Sequence, residues 1–359
     1  MAEILFQKEN PRILITRADR IGDLVLSTPV FPAIRKKFPK SYIAALTFRE
    51  NAALLEGNPY LDEVILYDKK RSEKSWLGNF LFSQKLKHKK FDVVIHLHAT
   101  NRMHAVAWLA GIPVRIGWDR RAPWTLTHVF KDVKSEGEKH EAEYNFDLLK
   151  PLGISLPVTF ETYFPVKEAA EEKTRAILIS LNLKNDKPLV ILSPGASCPS
   201  KRWPAERFGL LADLIAAKYS VEFAAVGTRA DQPLINRIRQ TAQTPILDLS
   251  GRLDLSMLGA LFKKSALVIS NDSGPVHIAS AVGSPVISIF GRRQPGLSPS
   301  RWRPLGDTSR YIWKDTGCNP CLAHECQIGF LCLDIISPED VLTIIPSVDF
   351  KLKTSASVF

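Results

Sequence analysis

Short apolar runs alternate with helix-like segments along most of the chain, and this alternation occurs in two separate series. The first series has strand candidates at residues 12–16, 42–46, 63–67, 91–97 and 114–118. The second series has strand candidates at residues 189–192, 221–226, 266–270 and 285–290. Strands that alternate with helices form parallel sheets, and buried parallel strands are continuous apolar runs. The sequence therefore predicts an α/β protein with two Rossmann-like, doubly wound domains.

The segment between the two series, residues 151–167, contains three prolines and little periodicity, which is typical of a linker. We expect an N-terminal domain over residues 11–160 and a C-terminal domain over residues 168–345. Residues 346–359 are expected to form a loose tail. Two such domains are predicted to face a central cleft, since ligands of open α/β sheets bind beyond the carboxyl ends of the strands.

The composition favours a globular protein with an anionic partner. The chain has 359 residues, of which 45% are hydrophobic and 24% charged, and its formal net charge is +11. This positive charge favours acidic lipid headgroups or phosphorylated substrates. No recognisable nucleic-acid-binding module accompanies the charge, so we expect no nucleic-acid partner. A signal-peptide pattern and a membrane-spanning apolar run are also missing, which predicts a cytoplasmic protein.

The first candidate site is the polar turn at residues 17–23, directly after the first strand candidate. Asp23 lies at a predicted helix start, where the helix dipole favours an acidic side chain. A carboxylate in this position can also act as a general base that takes a proton from a hydroxyl group. Asp19, in the same turn, is the competing carboxylate.

The second candidate site follows the strand at residues 189–192. It contains small and hydroxyl-bearing residues, and then a lysine just before the next helix: Ser193, Gly195, Ser197 and Lys201. Lys201 can neutralise a diphosphate as a point charge. A solvated basic loop has the same pattern, so the turn alone leaves both interpretations open.

The third candidate site follows the strand at residues 266–270 and reads Asp272-Ser273-Gly274-Pro275-Val276-His277. Proline suits the first turn of a helix, and a helix N-terminus offers free N–H groups to a phosphate. His277 lies one turn further on, where it can donate to a phosphate oxygen or pack inside the protein. An ordinary capped strand–helix turn has the same pattern.

The segment at residues 69–90 combines cationic residues with large apolar ones around Trp76 and Phe80. Such a segment is typical of a basic amphipathic helix that covers a sheet. It also suits contact with an anionic membrane surface or a lipid acceptor. Both interpretations are compatible with the pattern.

Four of the five cysteines cluster near the C-terminus, at Cys318, Cys321, Cys326 and Cys332. Four thiols at such spacing can hold zinc, although the usual two CxxC pairs with a long loop between them are missing. An expected cytoplasmic location argues against structural disulfides. The role of the cluster stays open.

Three ordered motifs carry a resemblance that extends over nearly the whole chain. They are Arg20-Ile21-Gly22-Asp23 after the first strand, Ser193 to Pro204, and Asn271 to His277. Together they resemble the ADP-heptose:lipopolysaccharide heptosyltransferases, which form glycosyltransferase family 9. The cysteine-rich segment is similar to the tail of many family members.

The resemblance implies a GT-B fold and an inverting transfer in a single displacement. The N-terminal domain would take the lipid-linked acceptor and the C-terminal domain the nucleotide sugar. By motif, Asp23 matches the general base, and Arg17 and Arg20 in the same turn are expected to bind the anionic acceptor. No metal is expected in the active site, and no cofactor besides the sugar donor.

The resemblance also assigns the donor-binding residues. Lys201 matches a contact to the donor phosphates, and Asp272 matches a residue at the donor sugar. Ser273, Gly274 and His277 fall on the phosphate-binding turn. Ser193, Gly195 and Ser197 complete the predicted donor site.

The sequence thus predicts transfer of a heptose from ADP-heptose to a lipopolysaccharide inner-core acceptor, lipid A–Kdo. The protein is expected on the cytoplasmic face of the inner membrane, in peripheral contact with the bilayer. One alternative is a transferase of the same fold that uses another nucleotide sugar, for example an N-acetylglucosaminyl donor. A second alternative is a non-catalytic protein that binds a sugar or a lipid.

Overall fold

Two parallel sheets organise the residues that this computed structural model describes, which are 3–181, 183 and 187–345. The chain divides into two compact units between Tyr163 and Phe164, and each unit contains one six-stranded sheet. The predicted fold class of two doubly wound α/β domains is therefore confirmed. The tail predicted at residues 346–359 lies outside the described residues.

The sheet of the first unit has the strand order β3-β2-β1-β4-β5-β6, with all pairs parallel. This order reverses between β1 and β4, the kind of point at which open α/β sheets bind their ligands. β1 and β4 end side by side, with Thr16 paired to His96. The strands are β1 Ile13–Thr16, β2 Ile43–Phe48, β3 Glu63–Tyr67, β4 Val93–His96, β5 Val114–Trp118 and β6 His128–Phe130.

The helices of the first unit lie between or after these strands. They are α1 Ile21–Val25, α2 Val30–Lys37, α3 Trp76–His88, α4 Asn101–Leu109 and α5 Glu141–Asp147. A 3-10 helix, Arg49–Leu54, connects β2 to β3. Helices α3 and α4 share an apolar core with the sheet, to which Phe82, Leu86 and Met103 contribute.

The sheet of the second unit repeats this arrangement with the order β12-β11-β10-β7-β8-β9. Its reversal lies between β7 and β10, where Ser193 pairs with Ser270 near the ends of both strands. The strands are β7 Leu189–Ser193, β8 Glu222–Ala225, β9 Ile246–Asp248, β10 Leu267–Asn271, β11 Val286–Ile289 and β12 Ser309–Ile312.

Eight α-helices belong to the described part of the second unit. They are α6 Glu168–Ser180, α7 Ala205–Lys218, α8 Gln232–Thr241, α9 Leu255–Lys264, α10 Gly274–Ala281, α11 Pro299–Trp302, α12 Leu331–Asp334 and α13 Pro338–Ile344. Trp203 and Phe208 pack edge to face in the apolar core of this unit, with ring centroids 4.9 Å apart and an interplanar angle of 74°. Among the described residues, no helix is both long and apolar enough to cross a membrane.

Candidate active site

The polar turn after β1 lies at the reversal point of the first sheet and is fixed from both sides. Thr47 donates from its hydroxyl to the backbone oxygen of Arg17 at 3.0 Å. Asn51 donates from its side-chain amide to the backbone oxygen of Asp19 at 2.9 Å. Because β2 and the 3-10 helix after it hold the turn, its side chains have a defined position.

Arg17 is the centre of a buried charge cluster. Its side chain is only 2% exposed, and its nitrogens donate to five acceptors. Three of these are carboxylates: Asp19 at 3.1 Å, Glu141 at 3.0 Å and Asp23 at 2.7 Å. The guanidinium also donates to the backbone oxygen of Leu97 and the side-chain oxygen of Asn145. Such a planar fork holds several oxygen acceptors in fixed directions.

The contact of Arg17 with the acceptor stays a prediction, and the geometry shows a different role for this side chain within the first unit. The guanidinium is buried and all three of its nitrogens donate within the first unit, so it orients carboxylates instead. Arg20, in contrast, is exposed just before α1, and no hydrogen bond or ion pair of its side chain occurs among the described residues. Its guanidinium is accessible to an anion.

The electrostatics of the cluster follow from burial and from the density of carboxylates. Burial disfavours the Arg17 cation, but the carboxylates of Asp19, Glu141 and Asp23 outweigh this effect and raise its pKa. Burial raises the pKa of Asp19 to about 7, although the Arg17 charge acts in the opposite direction. Asp19 therefore titrates near neutral pH, which suits a group that exchanges protons.

His98 lies beside Asp19, with 3.3 Å between Nδ1 and the Asp19 carboxylate oxygen Oδ2. Burial and the positive charges of Arg17 and Lys134 lower the pKa of His98. The imidazole is thus neutral at neutral pH, and it can share a proton with Asp19. Lys134 also bonds Glu141, at 2.9 Å, so both cations of the cluster stabilise that fully buried carboxylate.

The reversal point of the second sheet holds a second charge cluster, formed by Lys201, Asp272 and Arg292. One carboxylate oxygen of Asp272 lies 3.0 Å from the Lys201 ammonium and 2.7 Å from a guanidinium nitrogen of Arg292. Asp272 and Arg292 are each 4% exposed, whereas the Lys201 side chain is 15% exposed. Two cations share one carboxylate, so the cluster has a net positive charge that suits a diphosphate.

The contact of Asp272 with the donor sugar stays a prediction, and the structure shows which protein groups this side chain binds. Its carboxylate is nearly buried and accepts from the two cations. Asn271 links the two loops, because its side chain donates to the backbone oxygen of Pro194 and accepts from the backbone N–H of Trp203. The loops after β7 and β10 are therefore tied together.

Helix α10 begins at Gly274, with Ser273 as its N-cap and Pro275 in its first turn. Ser273 makes no capping hydrogen bond, and its hydroxyl lies 3.5 Å from that of Ser270. Ser273 and Gly274 are partly exposed at this helix N-terminus, whereas His277 is buried. Ser273 and Gly274 are thus accessible at the surface, whereas His277 is not.

The three small residues after β7 have different surroundings. Ser193 is buried at the end of its strand, and Ser197 is exposed. A Cβ atom on Gly195 would lie 3.0 Å from the carboxylate of Asp231, so a larger residue at this position would require the Asp231 side chain to shift. Asp231 in turn accepts from the backbone N–H of Thr228 at 2.8 Å.

Sequence reasoning missed four residues of the two clusters: Arg292, Lys134, Glu141 and Asn145. Arg292 follows the predicted strand at 285–290, so the rule that functional residues follow parallel strands could have found it. Glu141 and Asn145 lie on α5, more than 120 positions from Arg17 along the chain. No local pattern indicates such a contact.

The four clustered cysteines line one pocket of about 190 Å³ in the second unit, together with Ser200 and Arg292. All are free thiols. Among the described residues, no group of three or more His, Cys, Asp or Glu side chains is placed to hold a metal ion. His324 accepts from or donates to the Ser200 hydroxyl at 3.1 Å, which connects the cysteine-rich segment to the turn that carries Lys201.

Comparisons with known proteins identify the family of this chain. A family model described as glycosyltransferase family 9 (heptosyltransferase) matches residues 80–331, more than half of the chain. The lipopolysaccharide heptosyltransferase 3 of Escherichia coli is 28% identical over 302 residues, which are 81% of this chain and 86% of that protein.

Solved structures share the fold over nearly the full length. The glycosyl transferase family 9 protein of Veillonella parvula has a TM-score of 0.84 at 24% identity and covers 96% of this chain and 98% of its own. The ADP-heptose lipopolysaccharide heptosyltransferase II of E. coli has a TM-score of 0.77 at 22% identity, and the match covers 94% of this chain and 98% of that protein.

The chain is thus a glycosyltransferase by its family match. More narrowly, it belongs to glycosyltransferase family 9 (heptosyltransferase), as its three motifs indicate.

Proposed function

We propose that this protein transfers a heptose from ADP-heptose to a lipopolysaccharide inner-core acceptor, lipid A–Kdo, with inversion at the anomeric carbon. The family match and the lipopolysaccharide heptosyltransferase of E. coli support this reaction class. We also assign the chain to the GT-B class, on the basis of its two Rossmann-like units and its likeness to family 9 structures.

The observation that carries the proposal is the graded exposure of three carboxylates around Arg17. The Asp23 side chain is 18% exposed, that of Asp19 is 11% exposed, and that of Glu141 is fully buried. Of the three, Asp23 is therefore the most accessible to an acceptor hydroxyl. Arg17 holds this carboxylate in one orientation, which is what a general base needs.

In the proposed reaction, Asp23 takes the proton of the acceptor hydroxyl. At the same time, the oxygen of that hydroxyl attacks the anomeric carbon of the donor. The bond from that carbon to the ADP oxygen breaks in the same step, and ADP leaves with the electron pair. Asp19 is the alternative base, because its pKa of about 7 also suits proton transfer at neutral pH.

The second unit supplies the proposed donor site. Lys201 and the N-terminus of α10 at Ser273 and Gly274 stabilise the negative charge that develops on the departing diphosphate. Asp272, just before that helix, holds both the Lys201 ammonium and the Arg292 guanidinium. This chemistry requires no metal and no cofactor besides the nucleotide sugar.

The proposed acceptor is an anionic, lipid-linked saccharide, for which Arg20 offers an exposed cation. An enzyme with such an acceptor works at a bilayer surface. We therefore propose that the protein is cytoplasmic and binds peripherally to the inner membrane, with no nucleic-acid partner. The basic segment at residues 69–90 supports this location.

A donor screen with purified protein and a lipid A–Kdo acceptor tests the proposal, with the product mass measured by mass spectrometry. ADP-heptose should give an acceptor heavier by one heptosyl unit, and ADP should stabilise the protein in thermal melts. Stabilisation by UDP but not by ADP would favour another nucleotide sugar. Donor binding without turnover on any acceptor would favour a sugar-binding protein.

A further inference from the structure

Helix α3 carries large apolar side chains on the side that faces solvent. Trp76 is 80% exposed, Leu77 50%, Phe80 41% and Leu81 53%. Positions 76, 77, 80 and 81 share one side of a helix, whereas Phe82 and Leu86 on the other side pack into the core. A helix that only covered a sheet would place polar residues outward, so this stripe indicates a partner.

The exposure of this stripe is fixed by the local structure. Ser75 caps α3 by accepting from the backbone N–H of Gly78 at 3.0 Å. A Cβ atom on Gly78 would lie 1.9 Å from the backbone oxygen of Ser72, so only glycine permits the preceding loop to fold against the helix. Asn79 donates to the backbone oxygen of Glu73 at 3.0 Å and closes that contact.

The surroundings of the stripe are strongly cationic. Residues 69–90 contain eight Lys and Arg residues and one acidic residue, Glu73, which is buried. Arg71, Lys74, Lys85 and Lys87 are exposed and form no ion pair among the described residues. Tryptophan and other apolar side chains flanked by cations are what an anionic lipid headgroup region binds.

The apolar end of the stripe also lies at the functional edge of the first sheet. Helix α3 begins after β3, and the loops that follow parallel strands lie at the carboxyl edge of a sheet. Asp19 and Asp23 follow β1 at that same edge. A lipid surface bound by Trp76 and Leu77 would thus lie on the side of the unit that carries the candidate bases.

From these observations, we infer that the outward stripe of α3, formed by Trp76, Leu77, Phe80 and Leu81, docks onto a bilayer that contains anionic lipid. The apolar side chains enter the headgroup region while Lys85 and Lys87 pair with lipid phosphates. This inference rests on the proposed function, which places the acceptor in a membrane, and it identifies the surface that meets that membrane.

Vesicle co-sedimentation of the full-length protein tests the docking surface. Wild-type protein should bind vesicles that contain phosphatidylglycerol more tightly than pure phosphatidylcholine vesicles, and salt should weaken this preference. The double variant Trp76→Ser/Leu81→Ser should lower partitioning by roughly a hundredfold, because each of the two large apolar side chains that leave the interface changes the equilibrium by about tenfold.

A second double variant, Lys85→Gln/Lys87→Gln, separates the charge contribution from the apolar one. It should lower binding to phosphatidylglycerol vesicles by roughly fivefold per lysine and leave binding to phosphatidylcholine vesicles unchanged. Equal losses on both vesicles would contradict the pairing of these lysines with lipid phosphates.

Trp124 provides a matched control within the same unit. It is 72% exposed and contacts Trp108 at the C-terminal end of α4, a position at the other edge of the sheet. Trp124→Ser should sediment like wild type. If it loses as much binding as Trp76→Ser/Leu81→Ser, or if the latter sediments like wild type, the inference is wrong. A change from dimer to monomer in the α3 variant, with unchanged vesicle binding, would assign the stripe to a second copy of the chain.

Turnover with a soluble acceptor that lacks lipid chains separates this inference from the proposed function. The Trp76→Ser/Leu81→Ser variant should keep wild-type turnover on that acceptor and melt at the wild-type temperature. Absence of turnover in the wild-type protein would count against heptosyl transfer, whereas the vesicle result would still decide the docking surface.

Discussion

Nη2 of Arg17 donates to Oδ1 of Asp23 at 2.7 Å, and Nε of the same guanidinium donates to Asp19 at 3.1 Å. One buried cation therefore orients both candidate bases. The cation is held in turn by Glu141, which is fully buried on α5. The directions of both candidate carboxylates are thus set by buried residues that an acceptor cannot reach.

Replacing Arg17 by lysine should lower kcat by about a hundredfold and leave the donor KM nearly unchanged. Lysine keeps the charge but loses the planar fork, so Asp23 is no longer held in one direction. Steady-state kinetics on purified variants measures this effect. Arg20→Lys is the control, because Arg20 is exposed and should affect the acceptor KM instead. An unchanged kcat in Arg17→Lys would show that the guanidinium does not position the base.

Replacing Arg17 by methionine should destabilise the protein by about 3–5 kcal/mol, because Glu141 is left as a buried charge with one fewer partner. Urea unfolding followed by circular dichroism measures the free energy. The double variant Arg17→Met/Glu141→Gln should recover part of the loss, since it removes the buried negative charge as well. Simple addition of the two single effects would mean that the pair does not interact.

The raised pKa of Asp19 predicts a pH-dependent loss of stability. Its native pKa of about 7 exceeds the ordinary value, so the folded state binds the proton more tightly than the unfolded chain. The resulting stabilisation is complete below about pH 4 and is lost as the pH rises to about 7. As the pH rises from 5 to 8, the wild-type protein should therefore lose free energy of unfolding that the Asp19→Asn variant keeps. A constant difference over that range would contradict the raised pKa.

The pH dependence of turnover distinguishes the two candidate bases. If Asp19 is the base, kcat/KM rises with a midpoint near pH 7 to a plateau at higher pH, and Asp19→Asn abolishes both the activity and this transition. If Asp23 is the base, Asp23→Asn causes the large loss and Asp19→Asn retains turnover. Comparison of the two profiles assigns the role, provided that both variants bind ADP like wild type.

The central strands could be predicted from the sequence because buried parallel strands are continuous apolar runs. The predicted strand at residues 12–16 became Ile13–Thr16, and that at 266–270 became Leu267–Asn271. The patterns missed three strands at the sheet edges, which have only three or four residues each and no long apolar run: His128–Phe130, Ile246–Asp248 and Ser309–Ile312.

The sequence predicts where the candidate site lies, but not which residues contact one another there. Both clusters lie in turns that follow strands at the reversal points, as the rule for parallel sheets predicts. The partners of Arg17 on α5 were not predicted, because contacts over such distances depend on tertiary packing. The direction of the α3 stripe stayed open between a helix that covers the sheet and one that contacts a membrane, since periodicity shows that residues share a side but not which side faces solvent.

Replacing Lys201 by methionine should weaken ADP binding by about 1.5–3 kcal/mol, the usual contribution of a hydrogen bond to a charged group. Isothermal titration calorimetry with ADP measures this loss, and adenosine is the control ligand because it lacks phosphates. Arg292→Met should instead lower the melting temperature, because it leaves the buried Asp272 with one cation fewer. An equal loss of adenosine binding in Lys201→Met would mean that Lys201 does not act on the phosphates.

Cys321 and Cys332 line the same pocket but should react at different rates. Burial alone raises the pKa of a thiol. For Cys321 this effect is outweighed, and the pKa is lowered, by hydrogen bonds from the backbone N–H groups of Ala323, Arg293 and Gln294 and by the Arg292 charge. Burial and the neighbouring Cys321 and Cys326 raise the pKa of Cys332 to about 11. The thiolate is the reactive form, so Cys321 holds more of it near neutral pH.

Iodoacetamide should therefore alkylate Cys321 more than about a hundredfold faster than Cys332 in the folded protein at neutral pH. Peptide mass spectrometry over a time course measures both rates in one sample. In urea the two rates should become equal, because both thiols then have the ordinary pKa of an exposed cysteine. A rate ratio near one in the folded protein would show that the Arg292 charge and the backbone N–H groups do not stabilise the Cys321 thiolate.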